Sequence, residues 1–146
     1  GEIQPGSFLF MDADYAANQR DAAQPLFEHA LYVKTQVMSL SGDHAVCDAG
    51  HKAHAIDSGL PRLHALAPEN ALRFANGGDE HGVLHPDADA GNHSGWLPAL
   101  GESLWLIPGH CDPTVNLHDH LIGVRGGRLK GVVERIFTVD GRGALT

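Results

Sequence analysis

Cysteine is the first scarcity: Cys47 and Cys111 are the only two in 146 residues. Two thiols do not make a disulfide framework, so a reducing cytoplasm is the expected setting. Positive charge is scarce too. Ten Lys and Arg stand against 18 Asp and Glu, a formal charge of -8 at pH 7. That balance argues against nucleic acid and anionic membranes as partners, because both require basic patches. No apolar run approaches the roughly 20 residues that a bilayer-spanning helix needs. The opening Gly-Glu-Ile-Gln has neither the basic region nor the apolar core of a secretory leader. A chain that starts on Gly1 and runs straight into strand-like sequence is expected to be a piece of a longer polypeptide.

What is present fits a globular protein, with 42% hydrophobic and 19% charged residues. The length suits one domain, residues 1–146. Eighteen Gly and eight Pro favour short strands and tight turns over long helices. Phe8 to Met11 reads as a buried strand, and residues 12–26 as a loop with one helical turn around Tyr15 to Arg20. The second half of residues 27–40 alternates, with Val33, Thr35 and Val37 on one face, which predicts a strand. Ser41 to His44 turns the chain. Ala45 to Asp57 is expected to return as a second strand of a long hairpin, with Gly50 marking a bulge or a close backbone approach. Leu72 to Ala75 and Glu80 to Leu84 form another hairpin about Asn76-Gly77-Gly78. Residues 85–98 read as a surface loop that leaves His85 and His93 in solvent. Asp119 to Arg125 and Arg128 to Phe137 read as a hairpin with a two-residue Gly126-Gly127 turn. Together these predict a mainly β fold, a small antiparallel barrel or sandwich-like domain with little helix.

The stretch richest in chemistry is Leu104 to Asp119, LWLIPGHCDPTVNLHD. Leu104 to Ile107 reads as a buried strand that Pro108 and Gly109 end. His110 and Asp112 follow. In extended backbone, residues i and i+2 share a side, so this pair can share one ion while Cys111 faces away. An imidazole nitrogen with a carboxylate oxygen suits Mn²⁺ or Zn²⁺, with water or substrate in the open positions. The commoner meaning of His-x-Asp is an exposed His beside an Asp that caps a turn. Eleven His in this length is unusual, though sequence does not show which of them meet in space. Asp79-Glu80-His81 joins acids with a base, which makes Glu80 and His81 catalytic candidates, although an acid-rich turn would look the same.

Four motifs occur in an order that resembles the D-threonine aldolases: PGSFLFMDADY at Pro5 to Tyr15, DAGHKAHAIDSGLPR at Asp48 to Arg62, DEHGVL at Asp79 to Leu84, and LIPGHCDPTVNLHD at Leu106 to Asp119. This group, shared with the D-serine dehydratases, is similar to the alanine racemase fold type of pyridoxal phosphate (PLP) enzymes. The resemblance implies that the chain is the C-terminal β domain of a two-domain enzyme. An N-terminal β/α barrel, absent here, would carry PLP on a lysine. The lysines present are Lys34, Lys52 and Lys130, and the family's PLP lysine is not in the motif that holds Lys52, whose expected role is a salt bridge.

The resemblance also implies a divalent metal on His110 and Asp112. Asp at the second position sides with the aldolases and Mn²⁺; the dehydratases place Cys there and use zinc. The implied reaction is retro-aldol cleavage of a D-β-hydroxy-α-amino acid to glycine and an aldehyde, with the metal on the β-hydroxyl and PLP taking up the electrons. By fold analogy, backbone N–H groups of Gly6 and Ser7 lie where a PLP phosphate is reachable. The expected partners are the D-amino acid, the barrel and, at full length, a second copy in a homodimer. His118 and His120 stand where the family usually has bulky aromatics, and a metal role for either has no support in the sequence. Two alternatives stay open: a zinc- and PLP-dependent D-serine dehydratase-like domain, and a stand-alone binding or assembly module.

Overall fold

The computed structural model describes residues 1–3, 5–64, 67, 71–91, 94–127 and 130–144. Eight strands and two short helices follow in order. They are α1 (Ala13–Ala16), β1 (Val33–Leu40), β2 (Ala45–Cys47), β3 (Arg62–Leu63), β4 (Leu72–Asn76), β5 (Gly82–Pro86), β6 (Ser103–Ile107), α2 (Cys111–Val115), β7 (His120–Arg125) and β8 (Val132–Thr138). Six strands make one antiparallel sheet in the order β3-β6-β1-β2-β5-β4. Its edges, β3 and β4, approach each other, so the sheet nearly closes on itself. The fold is mainly β with little helix, as the glycine usage and short apolar runs predicted.

Alternation builds the core. Val33, Thr35 and Val37 of β1 point inward while Lys34 and Gln36 face solvent. Leu104 and Leu106 of β6, Leu84 of β5 and Phe74 of β4 complete the same cluster. Each such side chain contributes about 1.5–3 kcal/mol on leaving water. Gly50 is a close approach: a Cβ there would overlap the backbone of Gly78 and Asp79. The loop after β2 is thereby pinned to the β4–β5 turn, with Lys52 N–H donating to Asp79 O at 2.9 Å.

Four sequence expectations are corrected. Phe8 to Met11 is no strand; Ser7–Leu9 is one 3₁₀ turn, and Phe8 and Leu9 are largely exposed. Backbone bonds from Phe10 N–H and Met11 N–H to Ser7 O curl the run instead of offering it to a ladder. Ala45 to Asp57 does not continue as a strand; β2 stops at Cys47, and residues 51–53 form a turn closed by Ala53 N–H to Gly50 O. His85 lies in β5 rather than in a loop, while His93 falls outside the described residues. The last hairpin is real, but residues 126–131 separate β7 from β8, so its connection is longer than two residues. That hairpin stands apart as its own two-stranded sheet and exposes Ile122, Val132, Val133 and Ile136.

Candidate metal centre

The centre forms where the end of β6 meets the chain's N-terminal segment. Pro108 O accepts from Ala13 N–H at 3.0 Å, and Gly109 O from Asp14 N–H at 3.1 Å. Gly109 packs so tightly on the Gly59 carbonyl that a Cβ would not fit. Across this seam sits Asp12, wholly buried. Its Oδ1 caps α1 by accepting from Tyr15 N–H at 2.9 Å. Its Oδ2 accepts from Cys111 N–H at 3.0 Å and pairs with His110 Nδ1 at 2.9 Å. Burial alone would push the Asp12 carboxyl up. The bonds from Tyr15, His110 and Cys111 outweigh it and hold the group below its ordinary 3.8. Asp12 is therefore an ionised, buried acceptor.

An ionised carboxylate on Nδ1 takes that nitrogen's proton as a hydrogen bond. The Nε2 of His110 is then left as the lone-pair nitrogen, the arrangement that commonly orients metal-binding histidines. The Tyr15 ring stacks on the imidazole, with centroids 5.9 Å apart and planes 24° from parallel. Thr114 Oγ1 donates to His110 O at 2.7 Å and accepts from Ala55 N–H at 3.2 Å. The ring and the backbone of His110 are thus both held.

Asp112 Oδ2 lies 3.9 Å from His110 Nε2, on a side chain 76% exposed. That separation is within the span of one ion bonded to both at about 2.0–2.2 Å. The extended-backbone reason given for this pairing does not hold, because Cys111 begins α2 and only His110 is extended. The pair meets instead as a helix N-cap and a first-turn carboxylate. Cys111 does face away: it is buried, and burial followed by the charge of Asp12 pushes its thiol up to about 12. Among the described residues, no three His, Cys, Asp or Glu side chains gather as one metal-holding group. An ion here would keep most of its coordination for water or substrate.

Asp112 borders a cavity of about 670 Å³ that Gly6, Ser7, Met11, Tyr15 and Phe27 also line. Gly6 and Ser7 therefore share a cleft with the candidate ligand. Glu80 and His81 are not brought to it. Glu80 accepts from Lys52 Nζ at 3.1 Å on the surface, and His81 is exposed in the β4–β5 turn. Lys52 sits in a turn, not a strand, and also lies 3.4 Å from Asp79. His118 Nε2 bonds Ala53 O at 2.8 Å, and His120 opens β7 in solvent.

Sequence reasoning missed Asp12. Its signal was the MDADY motif itself, an acid flanked by apolar residues just ahead of a helical turn. Nothing in the sequence pairs it with a histidine 98 positions away.

A nearly closed antiparallel sheet with an imidazole–carboxylate pair at a cleft defines a small β domain with a candidate metal site. Residues 30–124 match the family described as Putative serine dehydratase domain, and the chain belongs to that family. It is 41% identical over 147 residues to a 3-hydroxy-D-aspartate aldolase of Paracoccus denitrificans (strain Pd 1222), covering 97% of this chain and 34% of that protein. It is 43% identical over 144 residues to a D-threonine aldolase of Arthrobacter sp, covering 97% and 34% respectively. The crystal structure of D-threonine aldolase from Filomicrobium marinum matches with a TM-score of 0.82 and 44% identity, over 98% of this chain and 36% of that one. The chain thus spans about a third of the length of the curated relatives it matches, and its fold is that of the C-terminal domain of D-threonine aldolase.

Proposed function

We propose that this chain is the metal-bearing C-terminal domain of a PLP- and divalent-metal-dependent lyase, which cleaves D-β-hydroxy-α-amino acids to glycine and an aldehyde. One observation carries the reading: in a chain 44% identical to a D-threonine aldolase, buried Asp12 holds His110 so that Nε2 is free beside Asp112. His110 and Asp112 would hold the ion. A nitrogen–oxygen pair favours Mn²⁺, with Zn²⁺ the alternative. When bound, the metal would supply a Lewis acid that lowers the pKa of the substrate β-hydroxyl, and PLP would supply an electron sink for cleavage of the Cα–Cβ bond.

The chain's own residues have narrower tasks. Asp12 keeps the His110 proton on Nδ1. Tyr15 covers one face of the imidazole and limits water there. Gly6 and Ser7 present backbone to the cleft. Among the described residues no lysine lines that cleft; the Schiff-base lysine would come from a barrel supplied by the rest of the polypeptide. The whole enzyme works in the cytoplasm, where Cys47 and Cys111 stay reduced, and as a homodimer by analogy with its fold type.

The test uses the polypeptide that carries both domains, stripped of metal by a chelator. Restored Mn²⁺ should recover glycine release from D-threonine in the wild type. His110→Ala and Asp112→Ala should each stay at least about a hundredfold lower, the loss of a Lewis acid worth several kcal/mol. Undiminished activity in His110→Ala would falsify the reading. Pyruvate from D-serine with zinc, and no glycine from D-threonine, would replace it with the dehydratase activity. The 146-residue chain alone should release no glycine.

A further inference from the structure

A second pair of imidazoles stands on the outer face of the sheet. Ala45 of β2 faces Leu84 of β5 in the ladder, and both are fully buried. Side chains alternate along strands, so the next residues outward in the same register, His44 and His85, project from the opposite face. His44 immediately precedes β2, and one further step of the register sets it opposite His85 of β5, where cross-strand Cβ atoms lie about 4.5–5.5 Å apart. Their ring centroids are 5.6 Å apart with the planes tilted by 44°. The rings are neither stacked nor edge-on.

Behind His44 stands Asp43. Its Oδ1 lies 2.7 Å from His44 Nδ1. That bond, before any other cause, holds the Asp43 carboxyl below its ordinary 3.8, so it is ionised at neutral pH. As at Asp12 and His110, a carboxylate on Nδ1 leaves Nε2 as the bare nitrogen. The device is repeated at a site that the proposed reaction does not use. The His85 ring has the His44 ring as its neighbour and feels the Asp43 charge, and among the described residues its side chain makes no hydrogen bond, so it can offer a nitrogen.

We propose that His44 and His85, with Asp43 oriented behind His44, form a second divalent-metal site, selective for Zn²⁺, Ni²⁺ or Cu²⁺ over Mn²⁺. Two nitrogens at about 2.0–2.1 Å suit these borderline ions. Affinity for such a site rises from Mn²⁺ toward Cu²⁺, whereas a mixed nitrogen–oxygen pair accepts the harder ion. Arg73 of β4 faces His85 in the register and opposes a cation. It is exposed on a flexible stem, so it can swing into water, and the Asp43 charge offsets it. An ion there ties β2 to β5 from outside and stabilises the sheet by mass action.

Calorimetric titration of the 146-residue chain with ZnCl₂ and with MnCl₂, in a buffer that does not chelate, tests this. His44→Ala and His85→Ala should each lose one zinc equivalent and leave Mn²⁺ binding unchanged. Asp43→Asn should weaken that zinc equivalent roughly tenfold or more, the usual effect of removing a group that orients a ligand. Cu²⁺ electron paramagnetic resonance should show two coupled nitrogens in the wild type and one in His85→Ala. All three side chains are on the surface, so the variants should fold as the parent does. Identical zinc stoichiometry and affinity in wild type and His85→Ala overturns the proposal. Equal competition by Mn²⁺ for that equivalent overturns it too.

Discussion

Asp12→Asn is the most informative single change. The amide is nearly isosteric, so packing is kept and only charge and proton count change. Its oxygen can still cap α1 through Tyr15 N–H. The second position then carries NH₂ where Oδ2 had accepted from Cys111 N–H and His110 Nδ1. Cys111 N–H, buried, loses its acceptor, which costs about 1–3 kcal/mol. The new NH₂ also donates to His110 Nδ1 and forces the proton onto Nε2, the nitrogen a metal needs. Loss of an orienting partner weakens metal binding about 10–100-fold, or roughly 1.4–2.7 kcal/mol. Mn²⁺ titration followed by electron paramagnetic resonance measures the binding, and urea unfolding measures stability. The two readouts separate, because His110→Ala should abolish the binding without exposing Cys111 N–H. If Asp12→Asn binds Mn²⁺ as tightly as the wild type, the tautomer reasoning is wrong. Acid adds a check on the same residue. A carboxyl depressed on folding contributes stability in full above its unfolded value near 3.8, and that contribution is lost as pH falls through the lower folded value. Asp12→Asn should flatten this part of the acid limb.

Three further outcomes follow from the packing. His54 is fully buried against Phe74, and burial lowers its pKa below 6.5. Its unfolded form therefore takes up a proton first, and stability should fall as pH drops below about 6.5; in His54→Leu, urea midpoints across that range should vary less. Gly50→Ala must displace the backbone at Gly78 and Asp79, and urea unfolding should show a loss of about 3 kcal/mol, the upper end for overpacking. Both thiols are buried, and Cys111 is pushed to about 12, so a thiol reagent at pH 8 should find neither until denaturant is added.

The strands that build the site were legible because their signals are local. Val33 to Val37 alternates, Leu104 to Ile107 is a short apolar run stopped by Pro108 and Gly109, and Leu72 to Leu84 folds about a glycine turn. Gly50 was readable as a bulge or a close backbone approach because glycine inside a strand-like run marks one or the other, and the structure makes it the close approach. The misreadings share one cause. Phe8 to Met11 and Ala45 to Asp57 have strand-like composition, but strands need a neighbour, and long-range contacts decide who has one. At residues 8–11 the chain curls to deliver Asp12 inward, with Met11 in the left-handed region at φ 50°. That conformation is costly for a side chain with a Cβ and is held by its surroundings. The candidate ligands His110 and Asp112 could be named from residue type and the family resemblance, but not from extended-backbone spacing, because Cys111 begins α2. Their orienting acid could not, because a buried carboxylate that gathers donors from Tyr15 and from His110 and Cys111, nearly a hundred residues on, leaves no periodic trace.

The terminal β7–β8 hairpin has a consequence for how the molecule breathes. A two-stranded ribbon without a covered face is marginal in water, and among the described residues this one shares no ladder with the six-stranded sheet. Its amide protons should trade with solvent long before those of β1 or β6, as a separate cooperative unit. The candidate metal centre, held by Asp12, Thr114 and the end of β6, lies on the sheet side of that divide, so fraying of the ribbon should leave the His110–Asp112 geometry undisturbed.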